Sequence, residues 1–303
     1  TVSNVYEVPV ILEEAGLGDT LLESLGLKSQ SNDLASWRSL VDRMNVPKER
    51  VSIAVVGKYV DLQDSYISVK EALFHAALYH DRDINISWIH SEDIERSNPE
   101  ELLGSVQGIV VPGGFGPRGI EGMISTVRYA RERSLPYLGL CLGMQMMVVE
   151  YARNVLHLEG ANSTEFDPDT PDPVIHLMYE QKDVTDMGGT MRLGVYPCKL
   201  VEGTLAAKAY DDGVIRERHR HRFEVNNDYR NEFRAVGFWS TGVSPDGNLV
   251  EIMEMSTHPF MIGVQFHPEF LSRPNRPHPL FRDFVGASKI TLREGGQHIL
   301  PLS

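Results

Sequence analysis

The sequence contains little cysteine and no long hydrophobic run. Only two of its 303 residues are cysteine, Cys141 and Cys198, which is too few for a disulfide framework. No apolar segment approaches membrane-spanning length, and the first ten residues lack the basic and apolar regions of a secretory signal. A reactive thiol survives best in a reducing compartment, so the composition predicts an unanchored globular protein of the cytoplasm.

Positive charge is also scarce. The chain has 29 lysines and arginines against 42 aspartates and glutamates, a formal net charge of −13. Because the basic residues are not gathered along one helix, a surface that attracts nucleic acid or an anionic membrane is not expected. The run RHRHR at 218–222 lacks the interleaved aromatic residues of a nucleic-acid site, and a solvated strand or loop is the simpler interpretation. In a strand, its three arginines would face one way and its two histidines the other.

The sequence also lacks phosphate-binding and metal-binding patterns. There is no GxxxxGK[ST] loop, and VGKY at 56–59 lacks the glycine spacing of a dinucleotide site. The histidines and aspartates show no metal-ligand spacing, so no metal site is predicted. Neither a phosphate loop nor a dinucleotide site is therefore expected in these residues. The 42% hydrophobic content provides for a substantial core.

The first 50 residues differ in pattern from the rest. They contain three short amphipathic segments at 8–15, 20–25 and 34–44, interrupted by glycine and proline, which predict a helical packing arm or linker. The chain begins at Thr1 close to such a segment, so further sequence is expected upstream. From residue 51 onward strands and helices alternate, which predicts a parallel sheet covered by helices on both faces. The predicted strands are 51–57, 84–89, 108–111 and 136–140, and the predicted helices are 65–79, 99–103 and 142–154.

Beyond Thr164 the pattern becomes antiparallel. Strands are predicted at 190–200, 234–241 and 249–255, with a turn at 245–248. The apolar run 261–266 follows, a helix at 280–289 closes the domain, and the polar end of the chain is predicted to be mobile. The predicted division is a helical arm at 1–50, an α/β domain at 51–290 with a central mostly parallel sheet and additional antiparallel strands, and a tail at 291–303.

The most informative local pattern is YLGLCLG at 137–143. A short apolar strand meets Cys141, and glycines on either side allow the chain to turn sharply into the helix predicted at 142–154. This is the pattern of a nucleophile elbow with sulfur as the nucleophile. The N-terminus of a helix also favours the thiolate form of a cysteine.

A histidine and a carboxylate follow the apolar run 261–266. His267-Pro268-Glu269 offers a base and a group that orients it, which together with Cys141 would form a catalytic triad. Taken singly, each residue has a plainer interpretation, since Cys141 could be a buried small hydrophobe, His267 a core histidine and Glu269 a surface carboxylate. Their joint occurrence favours catalysis.

Attack on an acyl carbon also requires donors for an oxyanion. Pro112-Gly113-Gly114 ends a buried strand, and its glycines allow backbone amides to approach an oxyanion without side-chain obstruction. The amide after the nucleophile is the usual second donor, so Gly114 and Leu142 are the predicted donors. Taken alone, the Pro-Gly-Gly segment would be only a turn.

Three of these motifs resemble, in the same order, those of the class I glutamine amidotransferases: VPGGFG (111–116), GLCLGMQ (139–145) and FHPEF (266–270). The resemblance covers the region after the arm and implies the fold of that family and the hydrolysis of glutamine to glutamate and ammonia. It implies that Cys141 attacks the side-chain amide of glutamine, that His267 acts as base and then as acid, and that Glu269 orients the imidazole.

The same resemblance implies how glutamine is held. Gly114 and Leu142 would lie at the oxyanion, and Gln145, Glu165 and Arg222 would surround the amino-acid end of the substrate. The charges suit a zwitterion, because Glu165 can pair with the α-ammonium group and Arg222 can grip the α-carboxylate.

Three further segments resemble one member of the family closely: ANSTEF (161–166), GGTMRLG (188–194) and ERHRHRFEVN (217–226). That resemblance implies a partner, a synthetase domain that binds ATP and Mg and uses the ammonia to convert UTP to CTP. VYEVPVILEEAGL (5–17) resembles the end of that domain, so residues 1–50 would be its end and a linker. The resemblance also implies a homo-oligomer at full length and activation by GTP, with basic residues of GGTMRLG or RHRHR as candidate contacts. It implies no cofactor in this fragment.

Two other interpretations stay open. The chain could be a regulatory or assembly module that packs through its N-terminal arm, although Cys141 argues against a purely structural role. It could also be a cysteine hydrolase of the same fold that acts on γ-glutamyl conjugates or peptides. Glu165 and Arg222 favour free glutamine over such substrates.

Overall fold

A computed structural model describes residues 2, 4–28, 34–177, 191–290, 292–294 and 297–299. Within these residues the α-helices are Val8–Glu14 (α1), Leu17–Leu25 (α2), Ala35–Met44 (α3), Ile67–Tyr79 (α4), Ser91–Arg96 (α5), Pro99–Leu103 (α6), Ile120–Glu132 (α7), Leu142–Asn154 (α8), Leu205–Tyr210 (α9), Arg230–Ala235 (α10) and Pro279–Lys289 (α11). Short 3₁₀ helices lie at Val5–Glu7, Gln63–Tyr66, Asn227–Tyr229 and Pro268–Leu271.

The strands form one large sheet and two small ones. They are Arg50–Gly57 (β1), Asp83–His90 (β2), Gly108–Val111 (β3), Tyr137–Leu140 (β4), Ala161–Ser163 (β5), Asp172–Leu177 (β6), Arg192–Leu200 (β7), Val214–His221 (β8), Phe223–Val225 (β9), Phe238–Val243 (β10), Val250–Met255 (β11), Met261–Val264 (β12), Leu292–Glu294 (β13) and Gln297–Ile299 (β14). The large sheet has the order β2-β1-β3-β4-β12-β11-β10-β7-β8. Its first five strands are parallel, and the pairs from β12 onward are antiparallel.

Helices cover both faces of the parallel half, as predicted. Side chains of a strand alternate between the faces, so Ile109 and Val111 join one apolar cluster while Val110 joins the other. The first cluster includes side chains of α7 and α8, and the second includes side chains of α4 and α11. Strands β3 and β4 are buried at every position, which is typical of central parallel strands.

The strand predicted at 234–241 is present but begins later than predicted. Residues 230–235 form the short helix α10, and the strand begins only at Phe238. Gly237 separates the two with a φ of 84°, a conformation that favours glycine and ends the helix. The predicted turn at 245–248 is present, with the Gly247 amide donating to the Ser244 carbonyl at 2.8 Å.

The N-terminal arm packs loosely. Helices α1 and α2 contain no buried residue, whereas α3 buries Leu40 and Val41. Across the described part of the chain, no helix is long and apolar enough to cross a membrane. Strands β13 and β14 pair with each other, and the other residues of the predicted tail lie outside the described part.

Candidate active site

The predicted elbow is present between β4 and α8. Cys141 has φ 51° and ψ −99°, a conformation that non-glycine residues rarely adopt, and it lies at the N-cap of α8. The flanking glycines make this turn possible. A Cβ on Gly143 would lie 2.1 Å from the Val111 carbonyl oxygen, and one on Gly139 would lie 2.7 Å from the Gly143 carbonyl carbon. Any larger residue would separate α8 from the sheet.

The sheet register brings the histidine to this elbow. Strands β4 and β12 are parallel neighbours in which Leu140 pairs with Val264, and the Cys141 amide donates to the Val264 carbonyl at 2.7 Å. The chain that follows β12 therefore runs beside Cys141. It carries His267, which lines the same cavity as Cys141 and whose pKa is raised by the Cys141 side chain.

Glu269 supports the imidazole from its other side. His267 Nδ1 lies 2.8 Å from Glu269 Oε1, and only 6% of the Glu269 side chain is exposed. Burial of the ring by itself lowers the pKa of His267, but the hydrogen bonds to Cys141 and Glu269 outweigh it and raise that pKa to about 10. The histidine is thus held as an imidazolium at neutral pH, beside a sulfur at a helix N-terminus. An imidazolium and a helix N-terminus are both groups that interact favourably with a thiolate.

A cavity of about 220 Å³ opens in front of these groups. Its lining includes Gly113, Gly114, Cys141, His267 and Glu269, which brings the predicted triad and one predicted oxyanion residue together. The other residues of its wall are Tyr59, Ser65, Tyr66, Ser68, Val69, Pro112, Phe115, Arg220 and Phe270. The second predicted donor, Leu142, is the first residue of α8, and its side chain lies 3.2 Å from the position a Cβ on Gly114 would take.

The glycine loop 113–116 is held by Lys58. The Lys58 ammonium donates to the Phe115 carbonyl at 3.2 Å and to the Gly116 carbonyl. Burial lowers the pKa of Lys58 to about 8, and the nearby carboxylate of Glu165 partly opposes that shift. The sequence analysis did not single out Lys58, because only the fold brings it to the loop.

The three residues predicted for the amino-acid end of glutamine are not part of this cavity wall. Glu165 Oε1 accepts from the Gly116 amide at 3.0 Å, so it lies at the end of the glycine loop. Gln145 is buried on α8, where its Nε2 donates to the Phe223 carbonyl at 3.2 Å and to Gln265 Oε1 at 3.3 Å. Arg222 follows β8, and its buried Nε has no hydrogen-bond partner among the described residues.

Residues 218–221 of the run RHRHR form the end of β8 and alternate as predicted, and Arg222 lies just beyond the strand. Arg218 and Arg220 are exposed while His219 and His221 are buried, so the interpretation of a solvated strand holds for these two arginines and not for the histidines. Arg220 reaches the active-site cavity, where its guanidinium carbon lies 5.8 Å from the centre of the Phe115 ring. The sequence analysis did not identify Gln265, whose Nε2 lies 3.7 Å from Cys141 Sγ.

His219 and His221 belong to a group of buried ionisable side chains that we name the buried ionic cluster: Arg192, His219, His221, Glu224 and Glu251. Arg192 Nη1 lies 2.7 Å from Glu251 Oε1 and 3.6 Å from Glu224 Oε1. Burial lowers the pKa of His219 to about 2 and that of His221 to about 3, and the charge of Arg192 acts in the same direction. Both rings are therefore neutral at physiological pH.

Comparison with known proteins identifies the family. The sequence profile described as "Glutamine amidotransferase class-I" matches residues 61–287. The chain belongs to the class I glutamine amidotransferases. In the Trypanosoma brucei CTPS glutaminase domain with bound acivicin, the same amidotransferase fold recurs with a TM-score of 0.74. That domain is 37% identical, and the match covers 79% of this chain and 94% of that one.

Two curated relatives of this amidotransferase are CTP synthases. The enzyme of Dehalococcoides mccartyi is 60% identical over 303 residues, a match covering all of this chain and 56% of the relative. The enzyme of Thermomicrobium roseum is 59% identical over 303 residues, again covering all of this chain and 55% of the relative. The chain thus spans about half the length of the curated relatives it matches. The predicted fold is confirmed, as is the narrower resemblance carried by 161–166, 188–194 and 217–226.

Proposed function

We propose that the chain hydrolyses glutamine to glutamate and ammonia, with Cys141 as the nucleophile and His267 and Glu269 completing the triad. One observation carries this proposal: the strained cysteine at the start of α8 shares a cavity with a largely buried imidazole, which is itself bonded to a carboxylate 2.8 Å away. This combination is the arrangement of an activated nucleophile, base and orienting group.

In the first half-reaction the Cys141 thiolate attacks the side-chain carbonyl carbon of glutamine. A C–S bond forms, and the carbonyl oxygen becomes an oxyanion that the amides of Gly114 and Leu142 stabilise. The His267 imidazolium then donates its proton to the departing nitrogen, so ammonia leaves and a glutamyl thioester remains. The raised pKa of His267 suits this order, because the proton is already present when the substrate arrives.

In the second half-reaction water hydrolyses the thioester. His267, now neutral, accepts a proton from the water as the new C–O bond forms, and the C–S bond then breaks to release glutamate and the thiolate. Glu269 holds Nδ1 throughout and stabilises the imidazolium each time it forms.

Recognition of free glutamine would come from the rim of the site. Glu165 is positioned by the Gly116 amide, and its second carboxylate oxygen can pair with the α-ammonium group. The Nε of Arg222, which has no hydrogen-bond partner within the described part of the chain, suits the α-carboxylate. The Gln145 amide nitrogen is already engaged by Phe223 and Gln265, so its carbonyl oxygen is the atom left for the substrate.

The full-length role follows from the curated relatives. We infer that the ammonia passes to a synthetase domain that uses ATP and Mg to convert UTP to CTP, in a cytoplasmic homo-oligomer activated by GTP. An identity of 60% to a CTP synthase, over all of this chain and 56% of that relative, supports a role beside a synthetase domain. The N-terminal arm would be the end of that domain and its linker, and the exposed apolar side chains of Ile11, Leu12, Leu21 and Leu25 support such a contact.

The test is covalent labelling with 6-diazo-5-oxonorleucine, followed by mass spectrometry of the modified peptide. We expect one adduct on Cys141, suppressed by free glutamine, and none on Cys198, which is fully buried. The variant Cys141→Ala should give no adduct and release no ammonia while its circular dichroism is unchanged. Ammonia release retained by Cys141→Ala would contradict the mechanism.

A substrate panel separates the remaining alternatives. Turnover of γ-glutamyl peptides in preference to glutamine would favour a γ-glutamyl hydrolase. An absence of labelling and turnover, both in this chain and in the chain extended to the length of its curated relatives, would favour a non-catalytic module.

A further inference from the structure

We propose that Gln265 is a positioning residue for the nucleophile, whose side-chain amide holds the Cys141 sulfur and stabilises its negative charge. The inference rests on the proposed role of Cys141 and adds a group outside the triad. Gln265 is fully buried, and its Nε2 donates to Cys141 Sγ over 3.7 Å. A donor–sulfur distance of this length is that of a hydrogen bond to a large, diffuse acceptor.

The sheet register explains why Gln265 reaches the sulfur. Residues of β12 pair one to one with residues of β4 up to Val264 and Leu140, so the next residues, Gln265 and Cys141, lie side by side. The main chain of Gln265 is fixed on its other side, because its amide donates to the Glu251 carbonyl at 2.8 Å. His267 follows two residues later, after a bend in the chain, and lines the same cavity as Cys141.

A second amide sets the orientation of the first. Gln145 donates one N–H to the Phe223 carbonyl and the other to Gln265 Oε1, which uses both of its side-chain hydrogens. With its oxygen held by Gln145, the Gln265 amide must present its NH₂ group to Cys141. If the Gln265 amide were flipped, its NH₂ group would face the NH₂ group of Gln145 and its oxygen would face the Cys141 sulfur. The hydrogen bonds from Gln145 to the Phe223 carbonyl and to Gln265 therefore fix the Gln265 amide with its N–H toward the sulfur.

A neutral amide suits this position better than a charged side chain. It stabilises a thiolate through an N–H donor but cannot give up its proton, so it does not compete with His267 for proton transfer. The same N–H is available when the thioester breaks and the thiolate returns. Gln265 thus acts on both half-reactions through Cys141, without touching the substrate.

The experiment measures the rate at which iodoacetamide alkylates Cys141 as a function of pH, with the Cys141 and Cys198 peptides followed separately by mass spectrometry. Because only the thiolate reacts, the midpoint of this profile reports on charge at sulfur and needs no glutamine. Gln265→Met keeps the shape and removes the amide, and should raise the midpoint by about one pH unit, roughly a tenfold slower reaction at neutral pH. Gln265→Glu should raise it further, since a carboxylate repels the thiolate.

Two other variants complete the design. Gln145→Met removes the hydrogen bond that orients the Gln265 amide, and it should raise the midpoint of the alkylation profile by a smaller amount. If neither Gln265 variant folds, this variant tests the proposal. Gln107→Met is the matched control, because Gln107 bonds to the Ser52 amide far from the elbow, and it should leave the midpoint unchanged. Folded Gln265→Met and Gln265→Glu proteins with the midpoint of the unmodified chain would overturn the proposal. A failed labelling by 6-diazo-5-oxonorleucine with a shifted midpoint would instead count against glutamine as the substrate.

Discussion

At the residue scale, the backbone of Cys141 has an unfavourable conformation that contacts elsewhere in the elbow stabilise. Its φ of 51° and ψ of −99° lie outside the regions that non-glycine residues prefer, and such conformations persist only where surrounding contacts impose them. Here those contacts are the hydrogen bond from the Cys141 N–H to the Val264 carbonyl and the packing of α8 on β3. The result is a cysteine at the wall of the cavity that His267 also lines, with its sulfur 3.9 Å from the Arg220 carbonyl oxygen and 3.7 Å from Gln265 Nε2.

This strain predicts a difference between two inactive variants. Cys141→Ala retains a Cβ and the strain, whereas Cys141→Gly removes both, so the glycine variant should be the more stable by about 1 kcal/mol. Urea unfolding followed by circular dichroism measures the difference. Equal stability, or a more stable alanine variant, would show that the backbone at this position is relaxed.

A second prediction concerns Glu269. Because this carboxylate contributes to the raised pKa of His267, Glu269→Gln should lower that pKa from its value of about 10. The imidazolium would then be lost at a lower pH, so the alkaline limb of glutamine hydrolysis should move toward neutral pH and the turnover rate should fall. An NMR titration of the His267 ring measures the shift. Glu132→Gln, on the exposed end of α7, is the control and should leave the ring unchanged.

At the element scale, the joint between α8 and β3 depends on one glycine. Gly143→Ala would place a methyl carbon 2.1 Å from the Val111 carbonyl oxygen, which is rigid backbone. We expect a loss of about 3 kcal/mol in the free energy of unfolding, with loss of labelling at Cys141 as the helix shifts. Gly213→Ala is the matched control, because no atom lies within 4 Å of its Cβ position, and it should change stability by less than about 0.5 kcal/mol. Equal effects at the two glycines would contradict the close packing.

The elements that could be predicted from the sequence are those with strong apolar patterns. Strands β1 and β4 and helix α8 lie where they were expected, since their residues are buried in continuous runs. Short elements were missed, among them β5 and β6, because their few residues show no clear period. The motif residues Cys141, His267 and Glu269 could be found because they are residue types of a catalytic triad set in the recognisable motifs GLCLG and HPE. Gln265 and Lys58 could not, because their roles arise from register and from a loop that packs back onto β1.

At the scale of the whole molecule, the antiparallel half of the sheet places charge in the interior. Glu251 lies on β11 with no exposed surface, and Arg192, His219 and Glu224 face it. Burial raises the pKa of Glu224 well above its ordinary value, and the neighbouring charge of Glu251 acts in the same direction. With one cation facing two carboxylates, the cluster lowers its energy by retaining a proton.

This proton makes the stability of the protein depend on pH. Burial, partly offset by Arg192, raises the pKa of Glu251 from 4.5 to about 7, so between these values the folded state binds more protons than the unfolded state. The free energy of unfolding should therefore fall as pH rises through this interval, by up to about 3 kcal/mol from this group. Glu251→Gln cannot titrate, so its stability relative to the unmodified chain should increase from pH 5 to pH 7.5 in urea unfolding. Glu202→Gln, at an exposed position, is the control, and its free energy of unfolding should equal that of the unmodified chain at both pH values. Parallel behaviour of Glu251→Gln and the unmodified chain would mean that Glu251 is ionised in the folded protein throughout, with Arg192 alone sufficient to hold its charge.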